Sequence, residues 1–284
     1  MYNQKILLTV APLYWPKMPP IGLGYLQAHL EKNGILADIL DLNNFFYNRA
    51  DSALKRKWLI NCNAALENTI LEIVKKNDPE IFIKAVERML EYETIGFSCF
   101  KSNLKATLKL AALLKRQNKF IKIIFGGPEI TRQFFKHGKK ITPVLGGEVD
   151  FLVIGEGERP LENFLTNRVK GKIAVFEQAE GLAAFSFPRY RGVNFATYPK
   201  KDAAAIQFSR GCVRRCSFCA ERLLYTGFRC RDVVDVIREI EFHKTQNNTH
   251  YFVFFDSMLN ADLTKLEALC DRIIDRFGSV PWEA

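Results

Sequence analysis

The chain has 284 residues, 48% of them hydrophobic and 25% charged, with a formal net charge of +10. That length holds two ordinary domains or one large one, and the composition excludes a chain too polar to bury a core. The basic residues are spread along the sequence and make no strong case for nucleic acid. Their densest group, Arg210, Arg214, Arg215, Arg222, Arg229 and Arg231, surrounds a cysteine motif and reads mostly as solvated surface arginines.

The longest apolar runs, such as Tyr251 to Phe255, are far shorter than a bilayer needs, so no membrane span is expected. The stretch Met1 to Val10, followed at once by Pro12, Pro16, Pro19 and Pro20, does not read as a signal peptide, and the expected location is cytoplasmic.

In chain order, Lys5 to Thr9 reads as a buried strand, and a proline-rich loop, Pro12 to Pro20, leads into a helix from Ile21 that Gly34 closes. Ile35 to Leu40 is a second strand. Phe45 to Glu93 is mostly helical, with a turn at Asn77-Asp78-Pro79. Thr94 to Ser98 is a third strand, Ser102 to Gln117 a helix, Ile121 to Phe125 a fourth strand running into Gly126-Gly127-Pro128, and Phe151 to Ile154 a fifth running into Gly155-Glu156-Gly157-Glu158.

Strands alternating with helices predict an α/β fold with a doubly wound parallel sheet, whose ligands bind beyond the C-terminal strand ends. Residues 1–167 form this first domain. Residues 168–201 lose any period, broken by Gly171, Gly181, Pro188, Gly192 and Pro199, and read as a linker packed through Phe185, Phe187, Tyr190 and Phe195. Residues 202–284 start a second β/α series: a strand over Ala203 to Phe208, a helix over Arg231 to Lys244, a strand over His250 to Phe255 and a helix over Asp262 to Phe277.

Of seven cysteines, Cys62, Cys99, Cys230 and Cys270 are scattered, whereas Cys212, Cys216 and Cys219 are spaced C-x3-C-x2-C. Clustered thiols in an odd total argue for a metal or cluster site over disulfides. Three thiolates on one short loop can hold three irons of a four-iron cluster and leave the fourth open. The alternative is a structural zinc, with Cys230 or His243 as fourth ligand, in an interaction protein; no second C-x2-C knuckle supports it.

The run Ser209-Arg210-Gly211-Cys212, with Phe218 before the last cysteine, resembles the radical SAM superfamily. The resemblance implies that Cys212, Cys216 and Cys219 ligate a [4Fe–4S] cluster that binds S-adenosylmethionine (SAM), that Phe218 lies near its adenine, and that Asp256, after the second strand, lies near its methionyl group or the substrate. A strand-end aspartate can equally cap a helix.

With this motif downstream, the first domain resembles the cobalamin-binding domain of one branch of that superfamily. The resemblance rests on the Ser98 loop, the Gly126-Gly127 pair and the Gly155-Glu156-Gly157 loop, and it makes Ser98, Gly126, Gly127, Gly155, Glu156 and Gly157 the expected cobalamin-binding residues. The Asp-x-His-x-x-Gly motif of other cobalamin proteins is absent, so cobalt is expected to lack a protein histidine; His29 reads as a surface or packing residue. Without the cysteine motif this half is a generic nucleotide-binding fold, although no G-x-G-x-x-G follows the first strand and no P-loop Lys is present.

The resemblance implies reductive cleavage of SAM to a 5′-deoxyadenosyl radical, a small-molecule substrate, an electron donor such as flavodoxin or ferredoxin, and, with cobalamin, methyl transfer to an unactivated carbon. It also implies a barrel of about six strands, of which residues 202–284 supply the N-terminal part. A truncated, non-catalytic remnant or a split-enzyme subunit completed by a partner chain is the alternative expectation.

Overall fold

The structure, a computed structural model, describes residues 5–59, 64–169, 171–175, 181–182 and 186–284. Cys62 and Phe185 lie outside the described residues. The apolar runs of the first half become strands β1 (Lys5–Val10), β2 (Leu36–Asp41), β3 (Thr94–Ser98), β4 (Lys122–Gly126), β5 (Phe151–Ile154) and β6 (Ile173–Val175). They form one parallel sheet in the order β2-β1-β3-β4-β5-β6. The order reverses between β1 and β3, which opens a crevice at their C-terminal ends. The sequence reading contains no strand at β6. Three residues between Gly171 and the unpatterned stretch beyond are too short to show a period, and their pairing with β5 is a tertiary choice.

Local chemistry sets the helix ends. The helix Ile21–Lys32 starts after Pro20 and ends where Gly34 takes φ 74°, with the Ile35 amide bonded to the Leu30 carbonyl at 2.9 Å. Among the described residues, the helical stretch before β3 resolves into Leu42–Arg49, Ser52–Leu59, Ala64–Asn77 and Pro79–Leu90. Asp78 caps the last of these through the Ile81 amide, and Pro79 fills its first position. The helix expected from Ser102 starts at Leu104. Asn103 accepts from the Phe100 amide and donates to the Ser98 carbonyl, which holds the preceding residues in a turn.

The second series comprises β7 (Ala203–Ile206), β8 (Ser209–Arg210), β9 (Arg229–Cys230), β10 (Tyr251–Phe254) and β11 (Trp282–Glu283). β7, β10 and β11 form a parallel sheet with β10 central, while β8 and β9 pair as an antiparallel hairpin. Helices Val233–Gln246 and Leu263–Phe277 are capped by Asp232 and Asp262. The strand expected to run through Phe208 stops at Ile206.

The two sheets share a core. One face of the first sheet, with Leu7, Ile95, Phe97 and Phe125, is covered by its own helices. The other, with Ile6, Leu8, Ile124 and Val153, is continuous with Ile206, Phe208, Val236, Ile240 and Phe252 of the second series. The connecting segment seals this junction as its aromatics suggested: Tyr190, Phe195 and Tyr198 are buried. A Cβ on Gly24 would lie 2.7 Å from the Pro188 side chain and 2.9 Å from the Arg189 carbonyl, so the first helix needs glycine there. Among the described residues no helix is long and apolar enough to cross a membrane.

Asp41 ties β2 to this segment. Its carboxylate accepts from the Asn44 amide and from the Tyr198 hydroxyl, each at 2.8 Å. Burial pushes its pKa from 3.8 up to about 6, against those hydrogen bonds. A carboxyl whose folded pKa exceeds its unfolded value favours the fold while protonated, and that contribution is lost as pH rises through about 6. Asp41→Asn, which keeps a capping oxygen, is therefore expected to flatten the decline in stability between pH 4 and pH 7 by on the order of 2–3 kcal/mol; urea unfolding of both proteins across that range measures it.

Candidate active site

A cavity of about 320 Å³ lies at the C-terminal edge of the first sheet, over the crevice between β1 and β3. Its wall includes Ser98, Gly126, Gly127, Gly155, Glu156 and Gly157, the residues expected to contact cobalamin. Its far side is formed by the second series through Gln207, Arg210, Glu221, Tyr225 and Phe255. The cavity thus lies between the two halves, facing the segment that carries the cysteines.

The strand-end glycines have local reasons as well. Gly127 takes φ 97°, and a Cβ there would lie 2.9 Å from both the amide nitrogen and the carbonyl oxygen of Cys99. The Cys99 amide bonds to the Gly126 carbonyl at 2.8 Å, and the Glu129 amide to the Cys99 carbonyl at 3.1 Å, so the two strand ends are laced together. Among the described residues that line it there is no histidine. His29 pairs with Glu162 at 2.9 Å. The wall combines glycine backbone and apolar side chains with the charged groups Glu156, Glu158, Arg210 and Glu221, and the glycines allow the close backbone approach that the cobalamin resemblance calls for.

All three motif cysteines fall in the loop of the β8–β9 hairpin. Gly211 opens this loop at φ 83°, and a Cβ there would sit 2.1 Å from the Gly227 carbonyl oxygen, so the two ends meet only because residue 211 is glycine. Beyond it the loop is exposed: Cys216 lies on the surface, Cys212 and Cys219 are half-buried, and Phe218 is 90% exposed.

The sulfurs are not gathered into a ready-made centre. Among the described residues, no three Cys, His, Asp or Glu side chains are arranged to hold a metal ion. Cys212 Sγ instead accepts from the Arg214 amide at 3.3 Å and lies 3.8 Å from the thioether of Met258. This differs from the expected convergence, and the reason is physical. Three thiols have no attraction for one another, and only a bound centre draws them to a common point. The donor set fits a cluster in its chemistry: three cysteines on an exposed loop, not bonded to one another.

The zinc alternative fares worse. His243 is fully buried, packed against Tyr190, Phe195 and Phe242 and hydrogen-bonded to Asn247, with burial lowering its pKa to about 4. No cysteine is among these partners. Cys230 sits in β9, where burial pushes its thiol up to about 11.

The loop after β10 grips the cysteine segment. Asp256 accepts from the Phe208 amide at 3.1 Å and from both the amide and the hydroxyl of Ser209. Burial raises its pKa while these bonds oppose the shift. Asp256 caps no helix; it turns the chain out of β7 into β8, which explains the strand's early end. Ser257 donates to Glu221, and Met258 meets Cys212.

The base of the hairpin is ionic. Arg210 donates to Glu156 at 3.0 Å and to Glu158 at 2.7 Å, and Arg229 donates to Glu156 at 2.6 Å. All four side chains are at most 8% exposed. Burial alone would raise the Glu158 pKa, but the Arg210 charge and hydrogen bond hold it below the usual carboxylate range. Arg231 is likewise buried, paired with Glu239 and donating to the Tyr25 hydroxyl. Three of the arginines expected on the solvated surface are thus interior, whereas Arg214, Arg215 and Arg222 are exposed. The sequence held one signal of this pairing: two acids at a strand end and two arginines bracketing the cysteines have complementary charge.

No family model matches the chain. It is 23% identical over 221 residues to the anaerobic magnesium-protoporphyrin IX monomethyl ester cyclase of Rubrivivax gelatinosus, covering 68% of this chain and 38% of that protein. The cyclase of Synechocystis is likewise 23% identical over 218 residues, covering 69% and 42%. An uncharacterized methyltransferase of Synechocystis is 31% identical over 97 residues, 33% of this chain and 18% of that protein. The chain therefore spans less than half the length of these relatives. Among solved structures, the radical S-adenosylmethionine methyltransferase TsrM from Kitasatospora setae, with cobalamin and a [4Fe–4S] cluster bound, superposes with a TM-score of 0.69 at 17% identity, over 96% of this chain and 52% of that one. A second TsrM structure, with tryptophan substrate and a SAM analogue bound, gives 0.68 at 16% identity over 96% and 51%. The chain is thus similar in sequence to the anaerobic magnesium-protoporphyrin ester cyclases and shares the fold of TsrM, as its resemblance to the cobalamin-binding branch of the radical SAM superfamily led one to expect.

Proposed function

We propose that this chain acts in a cobalamin-dependent radical SAM enzyme that transfers a methyl group to an unactivated carbon of a small-molecule substrate. The observation that carries this reading is the position of the C-x3-C-x2-C loop: it follows the first strand of a parallel β/α series through the β8–β9 hairpin, and its later residues Glu221, Leu224 and Tyr225 line a cavity at the switch point of the first sheet. When bound, a [4Fe–4S] cluster supplies the electron that cleaves SAM, and cobalamin supplies the methyl carrier.

The chain's own groups have distinct tasks in this scheme. Cys212, Cys216 and Cys219 hold the cluster. Phe218, exposed beside Cys219, offers its ring and backbone to adenine. Asp256 belongs to the SAM surroundings through the Phe208 and Ser209 amides that it holds. Ser98, Gly126, Gly127, Gly155 and Gly157 form the wall that cobalamin would approach. Phe97, Phe100 and Leu224 supply apolar surface to the space between the two halves. Reducing equivalents come from a flavodoxin- or ferredoxin-type donor. The relatives are named for cyclisation as well as methyl transfer; SAM cleavage with cobalamin present is the step on which this proposal stands, and methyl transfer is favoured by the shared fold with TsrM.

Anaerobic reconstitution with iron and sulfide is expected to give a brown protein that binds hydroxocobalamin and consumes SAM under dithionite. Cys216→Ala is expected to lose the cluster absorbance and reduce SAM consumption to background while hydroxocobalamin still binds. A chain that takes up zinc tightly but shows no cluster absorbance would overturn the proposal. Gly211→Ala forces a side chain into the φ 83° conformation against the Gly227 carbonyl. It is expected to cost about 1–3 kcal/mol and to lower iron incorporation with all three cysteines intact, measured by thermal unfolding and iron analysis.

A further inference from the structure

The hairpin that carries the cysteines is closed by the pairs Ser209↔Cys230 and Arg210↔Arg229. The second pair sets two cations directly across from each other, an arrangement that disfavours strand pairing. Their neutralisation comes from outside the hairpin: Glu156 accepts from both arginines, and Glu158 accepts from Arg210. At 2–8% side-chain exposure these charges are screened by water and salt far less than surface pairs are. Glu156 lies in the loop after β5 and Glu158 opens the helix Glu158–Leu165 that follows it, and residues 155–158 also line the cavity. One short segment therefore lines the cavity and supplies the counter-charge of the hairpin base.

We propose that Glu156 is a positioning residue that couples occupancy of the cavity to closure of the cysteine hairpin. A ligand that settles against Gly155 and Gly157 fixes the loop, and with it the carboxylate on which Arg210 and Arg229 converge. The hairpin base is then held shut one residue before Gly211 and two before Cys212. The coupling is reciprocal, so a centre bound on the cysteines tightens binding in the cavity by the same factor. The inference rests on the cobalamin reading of the cavity.

Hydrogen exchange of the full chain, with and without saturating hydroxocobalamin, tests the coupling. In the native sequence, exchange across residues 211–228 is expected to slow by about tenfold on saturation. In the double variant Glu156→Gln with Arg229→Gln, which removes one charge of each sign and leaves the Arg210–Glu158 pair, the slowing is expected to vanish at hydroxocobalamin concentrations shown by visible titration to saturate that variant; slowing that persists there, or a variant whose affinity falls to nothing, counts against the coupling. A second measurement needs no variant: the affinity for hydroxocobalamin, followed by its visible spectrum, is expected to rise several-fold after iron–sulfide reconstitution. If hydroxocobalamin binds but exchange across 211–228 does not change, or the double variant slows as much as the native chain, or affinity is unaffected by reconstitution, the coupling is overturned and the cobalamin reading stands. If the native chain does not bind hydroxocobalamin at all, both fall.

Discussion

Four buried charges decide where the cysteines sit. Glu156 and Glu158 come from the end of β5, Arg210 and Arg229 from the two strands of the cysteine hairpin, and none of them reaches solvent to any useful extent. Removing four ions from water costs several kcal/mol each, and their mutual attraction repays this only with close geometry. Such a cluster adds little net stability over an apolar replacement of the same shape. Its effect is on specificity: deleting one partner leaves an uncompensated buried charge, at a cost of about 3–5 kcal/mol, so alternative placements of the hairpin are strongly disfavoured.

The apolar core provides the frame on which this ionic contact can act. Ile6, Leu8 and Val153 on one face of the first sheet belong to the same cluster as Ile206, Phe208 and Phe252 of the second series. The two halves therefore meet through packed side chains, with Tyr190 and Phe195 of the connecting segment filling the junction. Dense packing of this kind resists sliding, because displaced side chains would open voids. The cavity at the β1–β3 switch point consequently faces Gln207 and Tyr225 in a fixed relation. Asp256 adds the last constraint by bending the chain from β7 toward the cysteine loop.

Beyond this ionic base, residues 213–218 of the cysteine loop are exposed. Cys216 and Phe218 are exposed, and the contacts of Cys212 are a backbone amide and the Met258 thioether. A stem anchored by buried charges with a solvent-facing tip is compatible with the cluster site proposed for these cysteines.

Much of this was written in local sequence. Period and punctuation were enough for strands such as Thr94–Ser98 and Phe151–Ile154, for the Gly34 helix end and for the Asp78-Pro79 helix start, because each depends on neighbours within a few residues. The C-x3-C-x2-C spacing and the glycines at strand ends likewise identify donor chemistry and close approach without knowledge of the fold. Only the tertiary structure decided that Ile173–Val175 joins the sheet, that Arg210, Arg229 and Arg231 are interior, and that Asp256 holds the β7–β8 turn in place of a helix end. Those outcomes depend on partners up to 206 positions apart, as between Tyr25 and Arg231. A charged side chain reads the same in sequence whether water or a buried counter-ion will solvate it, and folding alone makes that choice.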